Sequence, residues 1–249
     1  MNSFLSKAFA AVLLACTQVS AALAMTVQPV VLDLQTQGRG MTQVITVTNT
    51  FAAPLAVELR AEQIVMADGT MRPSGKETDD LLIFPPQALI QPGQTQSFRV
   101  QYVGDPQLAT SKHYYVTVAQ LPVKRAEGDA SVQVLYNFQV LVSIAPQGGK
   151  PAIKVDQAAI VTSDAGKPVV SLTVSNPSNT HGFLSQGRMR IIERDAAGKE
   201  IFRRSLAGPE VQQIIGYGLI GAGQTRKVTV PVELPSAAGT LDVQFTPEG

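Results

Sequence analysis

The chain has 249 residues, with 20 basic against 19 acidic side chains and a formal net charge of +1 at neutral pH. It carries one cysteine, two histidines and no tryptophan. No long basic run occurs, and Lys124-Arg125 and Arg203-Arg204 are no more than pairs, so nothing favours nucleic acid or an anionic membrane surface.

Residues 1–24 read as a signal peptide. Lys7 precedes the apolar run from Ala8 to Ala15, and Ala22-Leu23-Ala24 has the small-x-small form that signal peptidase cuts. Thr17, Gln18 and Ser20 interrupt the run, which is too short for a transmembrane anchor. Cleavage is expected after Ala24, leaving Met25 as the mature N-terminus of an exported protein. A rival reading makes Cys16, after Leu13-Leu14-Ala15, a lipid acceptor; the apolar character continuing to Ala24 speaks against it. Removal of the leader takes away Cys16 and Lys7. The mature chain is then neutral and has no disulfide, thiolate metal site or cysteine nucleophile.

Almost every later segment reads as β-strand. Gln43-Val-Ile-Thr-Val-Thr48 alternates and closes on Asn49, and strands follow at 55–65, 96–103, 114–121 and 131–144. Between them, Phe84-Pro85-Pro86 and Pro92-Gly93 mark rigid corners. The stretch 131–144 is the most one-sided. Val132, Val134, Tyr136, Phe138, Val140, Val142 and Ile144 share one face at strict period two, opposite Gln133, Leu135, Asn137 and Gln139. Either its own domain covers that whole face, or part of it is offered to another protein. Residues 147–151, Gln-Gly-Gly-Lys-Pro, read as a linker. Strands resume at 152–156, 169–176, 187–194, 200–203, 227–234 and 240–246, and no long helical period appears. The pattern predicts an all-β protein of two immunoglobulin-like β-sandwich domains, 25–146 and 147–249, without an internal repeat at residue level.

Chemistry-bearing constellations are few. His113 at a strand start and His181 in the turn Ser178-Asn-Thr-His-Gly182 read as surface or turn residues. Asp79-Asp80 reads as a solvated loop, because neighbours on an extended chain point apart. Gly216-Tyr217-Gly218-Leu219-Ile220-Gly221 matches a dinucleotide fingerprint, yet Gly223 and a strand pattern follow it. Without a helix to receive the phosphate, it is a glycine-rich loop between strands. No nucleophile–base set supports an enzyme, and neither a cofactor nor a metal is implied.

Five features in order carry a resemblance: the leader; Val47-Thr48-Asn49; Phe84-Pro-Pro through Gln91-Pro92-Gly93-Gln94 to Phe98-Arg99-Val100; Tyr114-Tyr-Val-Thr-Val-Ala-Gln-Leu-Pro122; and the alternating strand ending at Pro146. This order resembles the periplasmic chaperones of the chaperone–usher pilus pathway. The Gln-Leu-Pro ending and the lack of cysteines look most like its archaic branch. The resemblance implies a non-enzymatic periplasmic protein whose partners are pilin subunits and an outer-membrane usher. It further implies donor-strand complementation, in which the chaperone lends its last first-domain strand to fill a subunit's open groove. The lending face would be Val132, Val134, Tyr136 and Phe138, and a free chaperone would cap that face in a dimer. The short loop 122–130 resembles chaperones of rod-like pili. Two departures accompany this. The first-strand region 30–34 has no basic residue and the second anchor position aligns with Leu141, leaving Arg99 and Lys112 as substitute carboxylate anchors. Ala145 stands where an interdomain arginine is usual, so apolar contacts are expected to set the domain angle. The alternative is a structural or adhesive subunit of a surface fibre, which would show an incomplete sandwich and a short donor segment of its own.

Overall fold

The computed structural model describes residues 25–67, 70–122 and 134–248. The expected leader, its cleavage site and Cys16, most of loop 122–130, and Val132 lie outside them. In chain order the first strands are β1 (Met25–Gln28), β2 (Val31–Gln35), β3 (Thr42–Asn49), β4 (Leu55–Ala67), β5 (Thr70–Glu77), β6 (Leu81–Phe84), β7 (Gln87–Ile90), β8 (Thr95–Tyr102), β9 (Lys112–Gln120) and β10 (Asn137–Ala145). One sheet runs β1-β3-β8-β6; the other runs β2-β10-β9-β4-β5, with β7 also on β4.

The prolines explain how one chain supplies both sheets. Pro29 separates β1 from β2, and Pro85-Pro86 separates β6 from β7; at each break the chain leaves one sheet and joins the other. Period-two alternation then fills the space between. Ile45 and Val47, Phe98, Val100 and Tyr102, Val116 and Val118, and Val140, Val142 and Ile144 all point into one buried core. Asn49, at the end of β3, is fully buried and pins the turns around it. Its Nδ2 donates to the carbonyls of Ala53 and Ile90 at 2.9 Å, and its Oδ1 accepts from the Phe51 amide at 2.9 Å.

A second set follows: β11 (Lys154–Thr162), β12 (Pro168–Asn176), β13 (Gly182–Phe183), β14 (Gly187–Arg194), β15 (Glu200–Leu206), β16 (Leu219–Ile220), β17 (Gln224–Glu233) and β18 (Thr240–Pro247). Sheets β11-β12-β17 and β15-β14-β18 enclose a separate core built on Leu172, Val174, Leu184, Met189, Ile191 and Val230. The protein is therefore made of two immunoglobulin-like β-sandwiches. Asn176 closes β12 as Asn49 closes β3, with Nδ2 donating to the carbonyls of Thr180 and Ile220. The sandwiches share this device although no repeat is legible in the sequence.

Three sequence expectations need correction. Of the strand expected from 131, residues 131–133 lie outside the described residues and 134–136 are not in a ladder; β10 starts at Asn137, because β9, its partner, ends at Gln120 and Pro122 lies just beyond. The strand expected at 200–203 continues to Leu206. A helix, α1 (Gly208–Ile215), precedes the glycine motif. Pro209 sits in its first turn, the Ala207 amide donates to the Glu210 carboxylate at 2.9 Å, and Gly216 at φ +72° ends it. Eight residues are too few to leave a long helical period. The motif thus lies at a helix C-terminus, the wrong pole for a phosphate, and leads into β16.

Candidate functional site

The apolar face of the long strand is divided. Val140, Val142 and Ile144 are fully buried in the first core. Phe138 is partly buried against that core, whereas Val134 is 62% and Tyr136 40% exposed. Residues 134–136 continue toward the end of β9: the Gln120 amide donates to the Tyr136 carbonyl at 3.0 Å, and the Tyr136 ring lies 6.1 Å from that of Phe51.

The backbone is divided at the same place. β10 pairs with β9 from Asn137 to Ile144, but with β2 only from Leu141, opposite Val31, onward. The Leu141 amide donates to the Val30 carbonyl at 3.0 Å, which fixes the side that odd-numbered residues face. Alternation then aims the N–H and C=O groups of Asn137 and Gln139 at the flank that β2 does not reach. Among the described residues no strand occupies that flank. An open backbone edge and an exposed apolar strip therefore coincide at 134–139, the arrangement that adds a strand from another chain.

The two candidate anchors are not brought together. Arg99 stands exposed in β8, in register between Val44 and Phe84, on the sheet that does not contain β10. Lys112 begins β9 opposite Ile144, and its ammonium lies 2.9 Å from Asp80 Oδ2. Asp80 also accepts from the Tyr114 hydroxyl at 2.5 Å. Burial pushes the Asp80 carboxyl up, but the Tyr114 and Lys112 bonds outweigh it and hold it below its ordinary value. The expectation of a purely solvated Asp79-Asp80 loop is overturned for Asp80.

Neither histidine is a surface residue, although His181 does lie in its expected turn. His113 is 5% and His181 3% exposed, and they meet where the two sandwiches touch. Their rings pack edge to face, with centroids 5.2 Å apart. His113 Nδ1 lies 2.9 Å from Ser143 Oγ on β10, and His181 Nε2 lies 3.1 Å from Asp33 Oδ1 on β2. Ser111 Oγ accepts from the His181 amide at 2.9 Å and lies 2.9 Å from His181 Nδ1. Two more bonds cross the seam: Ser111 amide to Asn179 carbonyl at 3.0 Å, and Asn179 Nδ2 to Ala109 carbonyl at 2.8 Å. Hydrogen bonds hold this junction, where apolar contacts were expected. Burial pushes His113 down to about 3, with nearby His181 adding to the effect.

Two β-sandwiches, one with the flank of β10 half uncovered, define a two-domain β-sandwich protein. The description "pili and flagellar-assembly chaperone, PapD N-terminal domain" matches residues 24–150, just over half of the sequence. The chain belongs to this family of pilus chaperones. Among solved structures it is similar to the YadV chaperone, at 16% identity and TM-score 0.51 over 89% of this chain and 91% of that one. It is also similar to a chain of the Salmonella enterica SafA pilin–SafB chaperone complex, at 13% identity and TM-score 0.51 over 90% and 96% of the two chains. The class 5 fimbriae chaperone CfaA matches at 13% identity and TM-score 0.50 over 89% and 99%. At these identities the likeness is one of fold. No curated relative matches in sequence.

Proposed function

We propose that this protein is a periplasmic, non-enzymatic chaperone that holds pilin subunits by lending them the first half of the β10 segment and delivers them to an outer-membrane usher. The observation that carries the reading is the coincidence at 134–139 of an open backbone edge with exposed Val134 and Tyr136. A subunit strand laid along this edge would bond to Asn137 and Gln139 while its groove takes Val134, Tyr136 and Phe138; Val132 would extend the same face. Each such side chain supplies on the order of 1.5–3 kcal/mol, less the cost of ordering both chains. Lys112 is the candidate anchor nearer the domain junction, and its use would compete with Asp80. The archaic branch and rod-like pili rest on the sequence alone, as does export by residues 1–24.

The test is co-purification from periplasm of wild type beside a Val134→Asp, Tyr136→Asp double variant. Both positions are exposed, so the variant is expected to keep the wild-type circular dichroism spectrum. A pilin subunit identified by mass spectrometry should travel with the wild type and be lost from the folded variant. A subunit that stays with the folded variant refutes lending through this face.

A further inference from the structure

The polar seam between the sandwiches contains both histidines of the chain and joins strands on each side of it. Asp33 lies on β2 and Ser143 on β10, the pair whose separation leaves the open edge; His181 belongs to the second domain. At the seam Ser111 Oγ accepts from the His181 amide and lies 2.9 Å from His181 Nδ1, while His181 Nε2 lies 3.1 Å from Asp33 Oδ1. Adding a proton to His113 would place a cation in a buried site beside a second imidazole, with the uncharged Ser143 hydroxyl as its hydrogen-bond partner.

The charged groups around the pair are few. β2 presents Asp33, while Gln35, Thr180 and Gln186 line the same cleft of about 240 Å³ and carry no charge. The adjacent Lys112 is engaged by Asp80. From the second domain, Phe183 packs on His181 with ring centroids 5.4 Å apart. Asp33 thus faces His181, whereas the hydrogen-bond partner of His113 is the uncharged Ser143.

We propose that the Asp33–His181–His113–Ser143 seam is an acid-released latch, whose protonation parts the two sandwiches and frees the second domain from the β2–β10 edge. The proposal concerns the chaperone alone and does not depend on strand lending. The depressed His113 value, about 3 against an ordinary 6.5, gives the sign and the size. Above pH 6.5 the imidazole is neutral in both forms and the seam stays shut. Below it, an opened seam binds a proton that the closed seam excludes. The open-to-closed ratio then rises about tenfold per pH unit until the closed form itself titrates. Between pH 6.5 and 4.5 the shift is about fiftyfold.

Small-angle scattering of the full protein from pH 7.5 to 4.5 tests this, with circular dichroism at each pH to register unfolding. The expected result is a growing radius of gyration below about pH 6 while β-structure is retained. A His113→Gln variant should hold the closed dimension throughout, and Ser111→Ala, which weakens the closed form, should open about one pH unit higher for each tenfold loss. The proposal is overturned by scattering that does not change while the fold persists, by loss of β-structure in step with the expansion, or by an equal transition in folded His113→Gln. Should His113→Gln fail to fold, an unshifted transition in Ser111→Ala overturns it alone.

Discussion

Asp80 shows how much a single carboxylate organises when its partners are remote. Lys112 and Tyr114 reach it from 32 and 34 positions away, and the Val103 amide donates to its carbonyl at 2.9 Å. Together these fasten the β8–β9 connection, whose far end supplies Ala109 and Ser111 to the second domain. Tyr114→Phe removes the hydroxyl and keeps the buried ring. The expected loss is about 1.5–3 kcal/mol at pH 7, the range for hydrogen bonds to charged groups, read as a lower urea midpoint at unchanged slope. The sign follows from the depressed carboxyl: its contribution is present above the ordinary value of 3.8 and is lost as pH falls through the folded value. The gap between wild type and variant should therefore narrow below pH 3.8. None of this was legible in the sequence. Asp79-Asp80 has no periodicity to betray a role, and the His181–Asp33 contact spans 148 positions. Pairings of that range leave no local trace, so residues read as solvated or surface came out as the polar centre of the molecule.

At the scale of the element, the sequence did better, because a strand's burial is written in its alternation. Strands β3, β4, β8, β9 and the body of β10 follow directly from period two, and the proline breaks foretold the corners where the chain changes sheets. What alternation could not say is where a face stops being core. Residues 134–144 keep the same apolar period throughout, with valine at both 134 and 142, yet Val134 is exposed and Val142 fully buried. The difference lies in what covers each end, and that is a property of β2 and β9 rather than of β10 itself. It predicts a sharp contrast along one strand. Val142→Ala leaves a hole in the first core and should cost about 2 kcal/mol. Val134→Ala should stay within about 0.5 kcal/mol of wild type. Paired urea curves measure both; equal losses would mean that the upstream half is core after all. The helix α1 was missed for a different reason: Val211, Ile214 and Ile215 do face the second core, but two turns between Pro209 and Gly216 are too short to establish a period.

The whole molecule is two cores joined by a seam and a linker, and the linker is more than a tether. Residues 147–151 were read as a Pro/Gly linker, and most of them are exposed, but Gly149 is half-buried: its amide donates to the Pro146 carbonyl at 3.1 Å, and it lines, with Pro151, the same cleft as Asp33 and His181. A methyl group on Gly149 would fall on Thr180 Oγ1, with Pro146 Cγ on its other side. Thr180 is buried next to His181, so the displaced atoms belong to the turn that carries the histidine across the seam. Gly148 is a control beside it, with positive φ but open space where its Cβ would go. Gly148→Ala should cost about 1 kcal/mol of backbone strain and leave the junction in place. Gly149→Ala has no such strain, and it must move Thr180 or the linker. Its expected signature is a changed solution scattering profile at pH 7.5, with both cores still giving protected amides in hydrogen exchange and with the Ser111 and His181 amides, which bond across the seam, losing protection. Unchanged protection at those two amides would show that the linker yields instead and that the seam holds the domains without it.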